Sequence, residues 1–281
     1  LTSHIVGFME EALFTNDQDP YWVLEQDETV NLSLSEDLYV DLNGHTVDGD
    51  GHVIMKIRNA EHDVLISDCQ NEGEITNGSA ANYGAIYLEK GTFTMFGGKL
   101  TNNHCTQTAA GGWAGGAIQA RGDVKLVGVI LENNISDTEG GAICMREAAK
   151  ATLVNCTFKN NSAANGGAIY APDGRNEITI KNCIFQNNTA TTDGGAILTK
   201  GKLTVEKGTM FEANTADNCG GAVLVMSGGH FQMNGGKFTK NEAPKNNGGA
   251  IYISTGCTMT MDDGEVVENS LIDNVNVFPL E

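Results

Sequence analysis

The chain has 281 residues, of which 40% are hydrophobic, so it can form a sizeable core in one large domain or two small ones. Thirty-six acidic residues against 17 basic ones give a net charge of −19, which excludes nucleic acid and anionic membranes as partners. The 35 glycines and only 4 prolines indicate many ordered tight turns. No apolar run approaches the ~20 residues that cross a bilayer, so we expect no membrane insertion.

The chain opens with an amphipathic stretch. Residues 3–14, SHIVGFMEEALF, predict a short helix that caps the first coil of a repetitive fold, and we place this cap at residues 1–20. Residues 21–74 alternate apolar side chains with Gly turns and predict irregular first coils. The DGDG stretch at residues 48–51 resembles half of a calcium-binding loop, but the later ligands are not at the right spacing. We predict a turn there and no metal or cofactor, with calcium as the alternative.

Two interleaved motifs then repeat over residues 75–270. The first is G-G-A-[IV], with its second Gly at positions 84 (a degenerate copy), 116, 141, 167, 195, 221 and 249, in steps of 32, 25, 26, 28, 26 and 28 residues. The second is an apolar residue, two variable residues and then Asn, as in LENN, FKNN and FQNN. Short stretches of period-two alternation, such as ITI, LTV and MTM, precede the second motif and predict strands with one buried face.

Units of this kind contain short strands and no plausible helix, so each one has to stack on its neighbours to bury its apolar face. Stacking at about 26 residues per coil predicts an all-β, right-handed parallel β-helix. We expect a single domain over residues 1–281, with residues 271–281 as its C-terminal end. The residues predicted to point inward are Phe93, Met95, Val124, Leu126, Ile178, Ile180, Phe231, Met233, Met259 and Met261.

The repeated polar and small residues have predicted structural roles. The Asn residues are expected to stack at a turn, where Asn tolerates a left-handed backbone, and the Gly pairs to supply positive φ or close backbone approach. Seven cysteines without a C-x-x-C motif predict mostly buried thiols, and Cys156 and Cys183 are expected to stack as thiols rather than to form a disulfide.

The joint recurrence of G-G-A-[ILV] and F-x-x-N resembles the repeat of the polymorphic outer-membrane protein family of bacterial surface adhesins, over about residues 75–270. The stretch DLYVDLNGHTVDG is similar to the opening coil of pectin-lyase-like β-helix proteins, some of which act on polysaccharides. The resemblance implies a secreted or surface-displayed bacterial protein. The chain departs from the autotransporters of that family in lacking a translocator barrel.

Candidate catalytic residues come from two places in the repeat. Glu139 and Asp193 both precede a G-G-A and should lie two coils apart, a separation that suits an inverting glycosidase pair; the alternative is a solvated turn. Arg146 and Arg175, with Glu147 and Asp173 nearby, could form a basic spot of the kind used by lyases; the alternative is a surface cluster of ion pairs.

The step of 32 residues contains an inserted segment, TQTAAGGWAG, that places Trp113 in a Gly-rich loop. An exposed Trp there would suit sugar stacking or a partner contact, whereas the alternative is that it packs onto the solenoid wall. Tyr87, Tyr170 and Tyr252 share one register and are predicted to be partly buried strand residues.

The uniform repeats favour a non-enzymatic adhesion or recognition module that binds glycan or a host or bacterial surface protein. We expect it to be extracellular or at the cell surface, as part of a larger surface protein. A polysaccharide-active hydrolase or lyase is the first alternative, and a structural stalk is the second.

Overall fold

A computed structural model describes residues 21–34, 36–58, 62–107, 114–269 and 275–277, and every regular element in these ranges is a β-strand. The predicted cap at residues 1–20 and Trp113 lie outside the described residues. All pairings between the strands are parallel, and the strands form three ten-stranded sheets and one six-stranded sheet, which we call sheets A, B, C and D.

The chain visits sheets A, B and C in turn, and in the central coils it passes through sheet D between B and C. Sheet A comprises Tyr21–Val23, Leu38–Asp41, Asp63–Ser67, Thr92–Phe96, Asp123–Val127, Lys150–Val154, Glu177–Lys181, Lys202–Val205, His230–Met233 and Thr258–Met261. Sheet B comprises Glu28–Thr29, Thr46–Asp48, Glu74–Thr76, Lys99–Thr101, Ile130–Glu132, Thr157–Lys159, Ile184–Gln186, Met210–Glu212, Lys237–Thr239 and Glu265–Val267.

Sheet C comprises Leu32–Leu34, Met55–Ile57, Ile86–Leu88, Ile118–Ala120, Ile143–Met145, Ile169–Ala171, Ile197–Thr199, Val223–Val225, Ile251–Ile253 and Val275–Val277. Sheet D comprises Ser79–Ala80, His104–Cys105, Ile135–Ser136, Ser162–Asn165, Thr189–Asp193 and Thr215–Ala216. The predicted solenoid of stacked parallel strands is therefore confirmed, and sheet D is an addition that the repeat pattern did not indicate.

The core runs along the solenoid between sheets A, B and C. Its most regular part is a column of phenylalanines on sheet B: neighbouring rings from Phe158 to Phe238 stack with centroids 4.4–4.7 Å apart and nearly parallel planes. The alternating residues of sheet A point inward as predicted, except in its last strand. There Met259 is partly buried and Met261 is 47% exposed, because no further sheet A strand within the described ranges covers that end.

The repeated asparagines form a continuous ladder from Asn103 to Asn269. Each side-chain amide donates to the next Asn Oδ1 at 2.9–3.0 Å, and the same Oδ1 also accepts the backbone N–H of the previous Asn. The second amide proton goes to a carbonyl of the preceding coil, as from Asn188 to Phe158 at 2.9 Å. Six of these seven side chains are fully buried, so the ladder satisfies its own polar groups without water.

The left-handed backbone conformation lies one residue before the ladder, not at the ladder Asn as expected. Asn102, Asn133, Asn160 and Asn187 occupy this position with φ of 52–57°, and in later coils Ala213, Lys240 and Glu268 adopt the same conformation. The side chain that bonds along the solenoid and the residue that turns the chain are therefore separate.

The two glycines of each G-G-A have different roles. Gly166 has φ of 59°, whereas a Cβ on Gly167 would lie 2.1 Å from the carbonyl oxygen of Gly195 in the next coil. Positive φ is thus needed at the first Gly in every copy after Gly115, and close backbone approach at the second.

All seven cysteines are free, as predicted, and five of them are buried. Cys183 Sγ lies 3.3 Å from the backbone nitrogen of Cys156, so these two thiols stack on adjacent coils.

We predict that Asn188→Ala lowers the free energy of unfolding by about 3–5 kcal/mol. The change leaves the backbone N–H and side-chain amide of Asn161 and the carbonyl of Phe158 without partners in the core. Urea denaturation measures it. Asn269→Ala, at the end of the ladder and half-buried, should cost less than half as much, and equal losses at the two positions would contradict this account.

Replacing a strained turn residue should instead stabilise the protein. Ala213 has φ of 54°, and a left-handed Ala costs more than a left-handed Asn, so Ala213→Asn should raise the free energy of unfolding by about 1 kcal/mol. Asn133→Ala, at the equivalent turn with φ of 57°, is the matched reverse change and should lower it by a similar amount. A loss of stability in Ala213→Asn would refute the strain argument.

Candidate functional site

One outer corner of the solenoid, where sheet D leads into sheet C, holds an unusual set of side chains. The middle residue of each sheet C strand points away from the core, because the residues on either side of it, such as Ile143 and Met145, lie in the core. Successive middle residues are paired in register along the solenoid. This outward row consists of Tyr87, Gln119, Cys144, Tyr170, Leu198, Leu224 and Tyr252.

The outward row is buried although it points away from the core. Cys144 is fully buried, Gln119 is 2% exposed and Tyr170 is 8% exposed. Cys144, Tyr170, Leu198 and Leu224 form a second apolar cluster, separate from the main core. The prediction of partly buried tyrosines in this register is confirmed for Tyr87, Tyr170 and Tyr252.

Glu139 joins this row from the end of the sheet D segment, where it bridges in parallel to Asn165. Its carboxylate accepts hydrogen bonds from the Tyr170 hydroxyl and from the Asn165 amide. After burial, the charge of the same carboxylate is the next cause that raises the pKa of the outward-pointing Cys144 thiol. We call the set of Gln119, Arg121, Glu139, Cys144 and Tyr170 the C–D corner.

Burial shifts the ionisation of the C–D corner. Desolvation raises the pKa of Glu139, and its two hydrogen bonds only partly offset this. Burial, followed by the nearby Glu139 charge, raises the pKa of the Cys144 thiol and that of the Tyr170 hydroxyl. Cys144 and Tyr170 therefore stay protonated at neutral pH, as the low polarity of the second apolar cluster favours.

The C–D corner also holds buried polar atoms without partners. Among the described residues, four buried side-chain atoms lack a hydrogen bond: Gln119 Oε1, Arg121 Nε, Glu139 Oε2 and Thr209 Oγ1. Three of the four belong to the C–D corner. Arg121 keeps an ion pair through another nitrogen, with Nη1 3.4 Å from Glu147 Oε1. Since buried polar groups are nearly always paired, three unpaired atoms in residues on or beside sheet C mark the C–D corner as a candidate binding site.

The two predicted carboxylates are stacked as expected but are not equivalent. Asn165 pairs with Glu139 on one side and with Asp193 on the other, so the two acids lie two coils apart. Asp193 Oδ1 accepts the backbone N–H of Cys219 at 3.0 Å and the amide of Asn218 at 2.8 Å. Asp193 therefore holds the turn of the next coil, whereas Glu139 faces the C–D corner.

The predicted basic residues separate into different environments. Arg175 forms a two-point ion pair with Asp173 at 2.9 and 2.6 Å, and these hydrogen bonds lower the pKa of Asp173 to about 2. Glu147 pairs with Arg121. Arg146 follows a strand of sheet C. Burial and the charge of Glu139 raise the pKa of Cys144, and the positive charge of Arg146 acts in the opposite direction. Of the two arginines, only Arg146 lies close enough to Cys144 to influence its ionisation.

The described end of the inserted segment lies beside Glu139. Near the start of the segment Gln107 donates to Asn82 at 3.0 Å, and near its end the carbonyl of Ala114 accepts from Ser136 Oγ at 2.8 Å. Ser136 Oγ in turn accepts the backbone N–H of Glu139 at 3.1 Å. Trp113 lies outside the described residues, and its role in ligand binding stays a prediction.

Sequence reasoning selected Glu139 and Arg146 but missed Gln119, Arg121 and Cys144. A signal was present, because Gln119 interrupts a row that otherwise carries Tyr, Leu and Cys after G-G-A-[IV]. The row could be interpreted only once the structure showed that it is covered.

Other features of the described residues bring fewer reactive or polar side chains together. The DGDG stretch forms a turn, with His52 N–H donating to the Gly49 carbonyl at 2.8 Å. No group of three or more His, Cys, Asp or Glu side chains in the described ranges is arranged to hold a metal ion. No helix among them is long and apolar enough to cross a membrane. An apolar cavity at the first coils is lined by Trp22, Leu24, Leu38 and Leu42, and it is next in sequence to the predicted cap.

Glu139 should make stability fall as pH rises. Its pKa is raised in the folded state, so the folded protein binds a proton at Glu139 more tightly than the unfolded chain does. This proton binding stabilises the folded state at low pH, and the stabilisation is lost as pH rises above the unfolded pKa of the acid. Glu139→Gln keeps a neutral hydrogen-bonding side chain and should lose less stability than the wild type between about pH 5 and about pH 8. Urea denaturation at both pH values measures this. Glu147→Gln, at an exposed acid, should follow the wild type, and an unchanged slope in Glu139→Gln would disprove the assignment.

Comparison with known families agrees with this geometry. A family model described as a right-handed beta helix region matches residues 116–277, more than half of the chain. No curated protein and no solved structure matches the chain. The match covers most of the C–D corner and the coils that follow it, and it fixes the hand of the solenoid. The chain belongs to the right-handed β-helix family.

Proposed function

We propose that the protein is a non-enzymatic recognition module of a bacterial secreted or surface protein and that it binds glycan at the C–D corner. The observation that carries the proposal is the concentration there of buried polar atoms without partners. Each such atom costs about 1–3 kcal/mol in the free protein, and a ligand that supplies the missing hydrogen bond recovers this energy.

The chemistry of these atoms suits a sugar. Gln119 Oε1 and Glu139 Oε2 accept hydrogen bonds and Arg121 Nε donates one, while every sugar hydroxyl can both donate and accept. Aromatic rings lie one coil before Gln119: Tyr83 and Tyr87 pack with ring centroids 4.4 Å apart. Rings beside planar polar side chains provide the apolar faces and directed hydrogen bonds on which a sugar ring can be held.

The position of the inserted segment supports the same corner. The segment interrupts the repeat at a single coil, and Ala114 near its end is hydrogen-bonded to Ser136, which also accepts the backbone N–H of Glu139. Segments that depart from a repeating scaffold are common places for binding. Location at a bacterial surface, within a larger surface protein, rests on the resemblance of the two repeated motifs to those of surface adhesins.

A polysaccharide-active hydrolase or lyase is the second candidate, because the raised pKa of Glu139 suits a general acid. A hydrolase of this type also needs a second carboxylate, and Asp193 is held by Cys219 and Asn218 in the next turn. Incubation with plant and host polysaccharides, followed for new reducing ends and unsaturated products, tests this candidate. Products formed by the wild type but not by Glu139→Gln would favour the enzyme over the recognition module. A plain stalk predicts neither products nor binding.

A glycan array tests recognition, with Arg121→Lys as the informative variant. Lys keeps the positive charge that pairs with Glu147 but has no group equivalent to Nε, so the dissociation constant should rise about tenfold. Thr209→Val is the matched control, because it removes a buried unpaired oxygen away from the C–D corner and should bind like the wild type. No binding by any of the three proteins, or equal binding by all of them, would overturn the proposal.

A further inference from the structure

Within the C–D corner, Gln119 and Cys144 are direct neighbours. They are partners in the parallel register of sheet C, so their Cα atoms lie about one strand spacing, ~4.8 Å, apart and their side chains point to the same face. Both are buried, at 2% and 0% exposure, and the Gln119 carbonyl oxygen has no hydrogen-bond partner. A thiol therefore lies beside a carboxamide in a site that excludes water.

The groups around this pair can move protons. Tyr170 is the next residue of the row beyond Cys144, and its hydroxyl is hydrogen-bonded to Glu139. Glu139 lies close enough to Cys144 to influence its ionisation, and so does Arg146. The other cysteine packed against the second apolar cluster, Cys219, has Asp193 and the carboxamide of Asn247 as its neighbours in the stack, but its thiol is only partly buried. The combination of a buried thiol, a carboxamide and a protonatable acid thus occurs once among the described cysteines.

We propose that Cys144 and Gln119 form an internal thioester. The Cys144 sulfur attacks the Gln119 side-chain carbonyl carbon, a sulfur–carbon bond forms, and the carbon–nitrogen bond of the carboxamide breaks. The proton of the thiol leaves with the nitrogen, so one molecule of ammonia is released and no oxidant or reductant is needed. Glu139, hydrogen-bonded to Tyr170 in the next position of the row, is the nearby acid that would carry the proton from sulfur to nitrogen.

Fixed proximity is what makes this reaction feasible. Burial keeps the Cys144 thiol protonated, and a thiol is a weaker nucleophile than a thiolate, so the reaction is disfavoured at an ordinary cysteine. Well-oriented neighbours, however, react with effective molarities on the order of 10⁵–10⁸ M, which outweighs a small thiolate fraction. The same burial protects the product, because water has little access to the new bond.

A thioester would give the proposed recognition module a covalent step. A primary amine of a bound partner can attack the thioester carbonyl, forming an amide with the former Gln119 side chain and releasing the Cys144 thiol. This second step rests on the proposed function, because the partner has to bind at the C–D corner. The cross-link itself does not depend on any ligand.

Intact mass spectrometry of the full chain tests the cross-link directly. We expect the wild type to be lighter than its sequence mass by one ammonia, and thiol labelling in denaturant to find six of its seven cysteines free. Methylamine should then add one methylamine and expose the seventh thiol. A wild-type mass equal to the sequence mass, or seven free thiols before methylamine, would overturn the proposal.

Variants identify the two residues. Cys144→Ala and Gln119→Glu should each have the full mass expected for their sequence, whereas Cys105→Ala, at another buried cysteine, should stay lighter by one ammonia. Ammonia loss that persists in Cys144→Ala would refute the assignment, since an Asn-Gly succinimide would produce it. If Cys144→Ala does not fold, the methylamine-dependent thiol in the wild type decides alone. Absence of the thioester with glycan binding intact would reject only this inference, and a thioester without glycan binding would reject only the proposed function.

Discussion

The hydrogen-bonded asparagine ladder is the interaction on which the rest of this solenoid depends. Each buried Asn joins its own coil to the coils on both sides, through its amide, its Oδ1 and a backbone carbonyl. A coil satisfies these groups only when it lies directly over an equivalent coil, so the ladder selects one register for all the sheets. The stacked phenylalanines and the paired thiols of Cys156 and Cys183 follow from that register, because it brings identical positions one strand spacing apart.

This dependence explains how much could be predicted. Because every coil has to meet the same requirements, Asn, the Gly pair and the inward apolar residues recur visibly, and the solenoid, its inward faces and its stacked thiols could all be predicted from them. Sheet D could not, because its strands are only two to five residues long and show no clear alternation. The position of the left-handed residue was misplaced by one, since Ala213 and Lys240 do not reveal that their backbone is strained.

The candidate site was harder to predict because it depends on lateral neighbours. Glu139 was selected because it precedes a Gly turn. Its contact with Tyr170 joins two residues that are separated in sequence by more than the length of one coil. Gln119 and Cys144 are 25 positions apart in sequence and become neighbours only through sheet C pairing. Their burial also could not be inferred, because a residue that points away from the core is ordinarily solvated. A row that faces outward and is nevertheless covered is a property of the corner between two sheets, not of one coil.

The C–D corner shows how a repetitive scaffold can keep its stability separate from a proposed binding site. The ladder holds the coils from inside, so the outward row of sheet C does not have to carry the same residue in every coil. Tyr87, Leu198 and Leu224 fill the row with apolar surface, whereas Gln119 and Glu139 introduce polar atoms whose partners are missing. These atoms lie on or next to paired strands, so their positions are fixed before a ligand arrives. A site of this kind costs stability locally, and the ladder confines that cost to the coils around the inserted segment.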